Sequence, residues 1–206
     1  MLPRLALAHY DSLLARRRLT TGTATGVVLG WGGDALTQLK QLRQQAADDC
    51  LQPDGFSKTA AFDARRSLAF TVFGGYISGP VNYVWLPAIV RVVRVLAPGG
   101  GARALAAKVA LQAGILQPII FLPSFFSLNA VCRGWSVQTT LDRAREEYWP
   151  TLQYIWIFWT PAVTFAFGVL PMHQQAAFFA IVGFAWNACL SAFSNPRTGT
   201  AKSPGA

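Results

Sequence analysis

Four polar side chains stand in stretches of this chain that are otherwise suited to lipid: Asp34, Lys108, Gln112 and Asn187. An ionisable group within a membrane span costs roughly 2.5–3.5 kcal/mol on insertion scales, so it pairs with an opposite charge or lines a water-filled cavity. Asp34 therefore admits two readings. As a pore or gating acid it stands opposite Lys108, and Asp34, Lys108, Gln112 and Asn187 converge on one water-accessible path. As an assembly acid near a helix end it pairs with Arg65, Arg66 or Lys40. Asn187 has a similar choice, between contacting a permeant solute and hydrogen-bonding across helices, a bond that contributes about 0.6 kcal/mol on average. A second constellation is purely basic. Arg91, Arg94, Arg103 and Lys108 have no acid among them, a pattern that suits cardiolipin or another anionic head group as well as a plain solvated edge.

Other chemistry finds little to work with. His9 and His173 are isolated in sequence, and no HExxH, GxSxG, P-loop or GxGxxG is present, so no catalytic residues are assigned. Cys50, Cys132 and Cys189 are far apart and odd in number, which leaves neither a disulfide framework nor a metal site, and no cofactor is expected. Arg16-Arg17-Arg18 and Arg65-Arg66 lack a soluble binding fold around them, which argues against nucleic acid.

The elements that must position these groups follow from composition. Of 206 residues, 52% are hydrophobic and 13% charged, against about 25% charged in an ordinary soluble domain. The net charge of +9 alone would suggest nucleic acid or an anionic membrane, and its distribution favours the membrane. Lys, Arg, Asp and Glu are absent from 67–90, from 109–132 and from 148–196. A helical span needs about 20 predominantly apolar residues, so the first two runs fit one span each and the third fits two. The class expected is an all-α, polytopic membrane bundle of four to five spans with an N-terminal amphipathic helix.

Along the chain, residues 1–18 form that helix, with Leu2, Leu5, Leu13 and Leu14 to one side and Arg16 to Arg18 at its end. It lacks the apolar core of a secretory signal and has the arginine-rich, acid-poor makeup of an organelle-targeting segment, to lie in the membrane interface or against a partner. The bundle occupies 19–195. Its first span, 20–39, is diluted by threonine and glycine, but Gly22, Gly26 and Gly30 recur every four residues and share a face that admits another backbone. Asp34 is the next step of that face. A polar connection, 40–66, carries the turn signal Pro53-Asp54-Gly55. The second span, 67–96, repeats the small-residue device at Gly75 and Gly79 before Pro80 and Pro87, which break a helix unless neighbours satisfy the freed carbonyls. The third runs from Lys108 to about Arg133. Residues 136–147 form a charged helix, and Tyr148, Trp149, Tyr154, Trp156 and Trp159 then form an interfacial aromatic belt. The last block divides at Leu170-Pro171, and residues 196–206 form a flexible tail. Basic residues fall almost evenly on the two sides, so the positive-inside rule does not orient the chain.

From about Leu19 to Ser194 the chain resembles the family of the 22 kDa peroxisomal membrane protein and its mitochondrial inner-membrane relatives, the Mpv-seventeen proteins. The residues that carry the resemblance are Gly33-Asp34 with Gln38, Asp63 with Arg65-Arg66, Gly79-Pro80 followed by Trp85, and Lys108 ahead of Pro118. A denser set follows: Tyr148-Trp149-Pro150-Thr151-Leu152-Gln153, Trp156, Trp159, Pro161, Phe167, Leu170-Pro171, Trp186-Asn187 and Leu190-Ser191. The resemblance implies a small multi-helix protein of an organellar membrane, without enzymatic activity, of a kind often proposed to form or regulate a pore. The chain departs from the family pattern at Tyr83, Gln112-Ala113, Thr160, Val163 and Ala166, and several of these changes replace polar groups that could line a water path. The function expected is an accessory structural subunit packed among the protein subunits of a larger respiratory or ATP-synthesising complex, with membrane lipids as further partners. The alternative is a free-standing channel for small solutes or ions. The location expected is the mitochondrial inner membrane, with the peroxisomal membrane as alternative.

Overall fold

A computed structural model of the chain describes residues 2–51 and 61–193, with side chains over 9–47 and 61–186. The Pro53-Asp54-Gly55 turn, the side chains of Leu2, Leu5, Cys50, Asn187 and Cys189, and the 196–206 tail lie outside the described residues. Within them all regular structure is helical. The helices are α1 (Leu2–Arg16), α2 (Arg18–Leu51), α3 (64–96), α4 (Gly101–Arg133), α5 (Val137–Val169) and α6 (Met172–Phe193). Each of α2 to α6 packs on the next and α6 returns to α2, so these five close a ring, with α1 outside it against α2 and α6. Leu86, Ile89, Leu122, Ile155, Val163 and Ala166 are almost fully buried where α3, α4 and α5 meet.

This is an all-α membrane bundle. Among the described residues two helices, α4 and α5, are long and apolar enough by length and composition to cross a membrane. The other ring members pack beside them, and α2 and α3 dilute their apolar content with glycine, threonine and serine.

Two boundaries differ from expectation. The first helix does not end at Leu39 but continues to Leu51. Residues 38–47 hold lysine, arginine, leucine, glutamine and alanine, all good helix formers, and no glycine or proline stands between Gly33 and Pro53. Residues 136–147 and the apolar block after them are not two elements either but one helix, α5, capped where Ser136 Oγ accepts from the Thr139 amide at 3.1 Å. Pro150 is tolerated inside α5 because it is exposed, and the Glu146 carbonyl it frees belongs to the exposed, charged first part of that helix.

Prolines act differently in α3 and α4. Around Pro80 the chain widens into π-helix at Ile77–Val81, and around Pro118 at Gln112–Phe121. In this register an amide reaches back five residues, as Asn82 does to the Ile77 carbonyl and Leu122 to that of Gln117. Five residues after Ala113 stands Pro118, and five after Pro118 stands Pro123; neither has an N–H to give. Helix α5 supplies both donors. Trp156 Nε1 donates to the Ala113 carbonyl at 2.9 Å, and the Tyr148 hydroxyl to the Pro118 carbonyl at 2.6 Å.

The N-terminal helix, expected in the interface or on a partner, docks on the bundle itself. Leu14 is buried, and Tyr10 Oη lies 2.7 Å from Thr25 Oγ1. Asp11 Oδ1 accepts from Gln174 Nε2 at 2.8 Å and lies 3.0 Å from His173 Nε2, so His173, isolated in sequence, has a carboxylate neighbour in space.

Candidate functional site

The polar centre of the molecule is built where α2 meets α3. Glycine brings the two helices together: a Cβ on Gly22 would stand 2.6 Å from the Ser78 carbonyl oxygen, and one on Gly30 2.5 Å from that of Phe70. A Cβ on Gly26 would overlap the Gly74 carbonyl oxygen, and one on Gly74 would overlap that of Gly26. Added carbons would meet Val27 at Gly75 and Thr23 at Gly79. The facing surfaces are thus backbone on backbone, as small-residue seams in membranes allow. Gly74, the direct partner of Gly26, escaped the sequence reading because its neighbour Gly75, and not Gly74, stands four residues before Gly79.

One turn beyond Gly30 the same face presents Asp34, 2% exposed. Its Oδ1 lies 2.7 Å from Arg66 Nε, and its Oδ2 accepts from Ser67 Oγ at 2.6 Å and from Gln38 Nε2 at 2.7 Å. Gln38 ties the entry of α3 as well: its Oε1 accepts the Asp63 amide at 2.7 Å while its Nε2 reaches the Asp63 carbonyl at 3.0 Å. Asp63 in turn caps α3, its Oδ1 accepting from the Arg66 amide at 3.0 Å. Ser67, which no sequence pattern singled out, completes the carboxylate's shell. Arg133 comes to 3.9 Å from Asp63 and, with Arg143, stacks on Trp135.

The three pore candidates whose side chains are described, Asp34, Lys108 and Gln112, have separate partners. Lys108 is on α4 with its Nζ 5.9 Å from the centre of the Phe167 ring, and Asp34 is paired elsewhere with Arg66. Gln112 is buried and accepts from Trp85 Nε1 at 2.6 Å. Asn187 belongs to α6, its side chain outside the described residues. Arg91 and Arg94 close α3 and Arg103 opens α4, all three exposed around the turn at 97–100 with Lys108 half-buried beside them.

The aromatic residues of α5 are not one belt. Trp149 and Tyr154 are exposed, but Tyr148 and Trp156 turn inward to the α4 carbonyls and Trp159 is buried. Sequence position along a helix does not reveal which way an indole faces, and here the proline-freed carbonyls of α4 decide it.

Trp159 stands at the middle of the ring, between two small adjoining chambers. One, about 40 Å³, has Ser78, Asn82, Gln112 and Gln117 in its wall. The other, about 50 Å³, is bounded by the Gly26, Gly30 and Gly74 backbones and by Phe70, Phe73 and Trp186. Both π-helical segments reach the first chamber, since Ile77 and Ser78 come from one and Gln112, Leu116, Gln117 and Phe121 from the other.

Residues 130–191 match the model of the Mpv17 / PMP22 family, the family that the resemblance named. Relatives align over nearly the whole length. Protein sym-1 of Neurospora crassa is 27% identical over 185 residues, covering 90% of this chain and 96% of its own. Protein SYM1 of Gibberella zeae is 28% identical over 182 residues, with 88% and 93% covered. Peroxisomal membrane protein 2 of Bos taurus is 25% identical over 194 residues, with 92% and 90% covered. No solved structure matches the chain.

Proposed function

We propose that this chain, a membrane protein with an Mpv17/PMP22 family domain, is a non-enzymatic structural subunit packed into a larger assembly of the mitochondrial inner membrane. The observation that carries the reading is the buried pair of Asp34 and Arg66 at 2.7 Å. An acid that lined a conducting path would face water, whereas this one has its oxygens turned to Arg66, Ser67 and Gln38 and holds two helices together. The outer surface offers apolar side chains to lipid and to other subunits, among them Val28, Trp31 and Leu36 on α2 and Val131 and Ile157 on α4 and α5. Arg91, Arg94 and Arg103 supply positive charge for anionic head groups such as cardiolipin. The arginine-rich, acid-poor start supports the mitochondrion over the peroxisome.

Native gel separation of mildly solubilised organelle membranes, with the chain followed by mass spectrometry, tests this. Comigration with respiratory or ATP-synthesising subunits at several hundred kilodaltons is expected; migration as a monomer or small homo-oligomer overturns it. A second reading, a channel for small solutes or ions, draws on Gln112, the pore candidate whose side chain reaches the interior chamber. It requires Asp34→Cys and Gln112→Cys to react with water-soluble thiol reagents in intact membranes. The structural reading expects both to be protected.

A further inference from the structure

The first interior chamber holds an unsolved polar problem. Gln117 and Trp159 both belong to its wall, and their Oε1 and Nε1 atoms are buried with no hydrogen-bond partner among the described residues. The residues are 4% and 8% exposed, so bulk solvent does not serve them. A buried donor or acceptor left without a partner is strongly disfavoured, and native structures meet such groups with ordered water or a ligand. Here the two orphans are complementary in kind: an indole N–H can only donate, and an amide oxygen can only accept. Beside them stand Ser78 and Asn82, also buried and polar.

Size and charge narrow what could answer them. A buried water needs about 10–15 Å³ of such space, so the chamber of about 40 Å³ holds roughly three waters or a molecule of a few heavy atoms. None of the side chains around the chamber is ionisable, and an ion bound there would give up hydration with no counter-charge to replace it. A neutral guest escapes that penalty. The adjoining chamber, which shares Trp159 and Phe121 with the first, is lined by glycine backbone and aromatic rings and suits a short apolar end.

The π-helical turns show how the fold makes this room. Packed α-helices meet tightly, but Ile77–Val81 and Gln112–Phe121 are widened on facing elements, and both contribute wall. π-turns are frequent at functional sites, where an added residue per turn re-aims side chains. Pro118 lies within the second and places Gln117 immediately before it.

We infer that the chamber between α3, α4 and α5 is a binding site for a small uncharged molecule that both donates and accepts hydrogen bonds, of the size and polarity of a primary amide or a short alcohol, with Trp159 Nε1 and Gln117 Oε1 as its anchors. The site belongs to the interior of the single chain and does not depend on whether that chain sits in a larger assembly.

Three probes of nearly one shape isolate the claim: acetamide, acetate and acetamidinium. Saturation-transfer NMR on the full chain in mild detergent should give a methyl signal for acetamide, with acetate and acetamidinium at the level of empty micelles. Trp159→Phe keeps an aromatic ring and removes the donor; Gln117→Met keeps the side-chain length and removes the amide acceptor. Each should reduce the acetamide signal at least threefold, whereas the exposed Trp149→Phe should leave it unchanged. Circular dichroism and gel filtration establish that each variant is folded, and because the two anchors come from different helices, either one suffices if the other fails to fold. An acetamide signal no larger than the micelle blank overturns the inference, as does an equal signal from acetate or from acetamidinium, or an undiminished signal in a folded variant.

Discussion

The ring is held by two seams of opposite design. Between α2 and α3 side chains are nearly absent: glycine meets glycine, and the seam ends in a carboxylate, an arginine, a serine and a glutamine. Between α4 and α5 the contact is made by large aromatic groups, two of which donate to carbonyls that prolines have left without an amide. In lipid there is no hydrophobic gain from bringing helices together, so association rests on close van der Waals fit and on polar groups that find partners. The first seam takes the former route and closes it with charge. The second tolerates backbone irregularity in order to make room, and recovers the lost hydrogen bonds from side chains.

The contrast can be broken at its most demanding point by Asp34→Ala. Removing one partner of a buried pair leaves Arg66 uncompensated at a cost of about 3–5 kcal/mol, read as a fall in unfolding midpoint in mixed micelles. The double variant Asp34→Leu with Arg66→Met should recover most of it; no recovery would mean that the charge pair is not what holds this end.

Gly26→Val comes next. Its first carbon already overlaps the Gly74 carbonyl, so the helices must part, at a cost of about 3 kcal/mol. Gly32→Ala is the matched control, because its added carbon would meet only Phe184 at 3.8 Å, an ordinary contact. Alanine is the better helix former, so Gly32→Ala should be neutral or stabilising, and equal destabilisation by the two would show that the seam is not what Gly26→Val disturbs.

The aromatic seam should yield more gently. Tyr148→Phe removes one donor and keeps the ring, for a loss of about 1 kcal/mol, and Trp156→Phe removes one donor and trims the indole to a phenyl, for a somewhat larger loss. They lie about two turns apart on α5 and serve different carbonyls, so the double variant should be additive within ~0.5 kcal/mol. The smallest effect belongs to Trp149→Phe, under ~0.5 kcal/mol, because that ring is exposed. A large loss there in membranes, but not in detergent, would expose a contact with another subunit.

How much of this was written in the sequence depends on the seam. A four-residue glycine period has one geometric meaning on a helix, so Gly22, Gly26 and Gly30 announced the α2–α3 contact, and Asp34 on the same face led to a short set of partners that included Arg66. The break at Leu170-Pro171 was equally plain. The aromatic seam was not. Pro118 and Pro123 stand five apart, the spacing that leaves Ala113 and Pro118 carbonyls open only once the turn widens, and nothing local says that it will. The facing of Tyr148 and Trp156 depends on those carbonyls and is therefore a tertiary fact. The orphaned atoms of Gln117 and Trp159 are further removed still, since a missing partner cannot be read from one strand of text.

The corner between α5 and α6 carries a last implication. Gln175 Nε2 donates to the Leu170 carbonyl at 3.0 Å and lies 3.4 Å from that of Ala166, so the ending helix is finished by the helix that follows it. Exposed carbonyls are what keep a helix end at the water surface, because hydrocarbon offers them nothing. One side chain thereby couples the two helices across their corner, so that the end of α5 cannot fray without pulling on the start of α6.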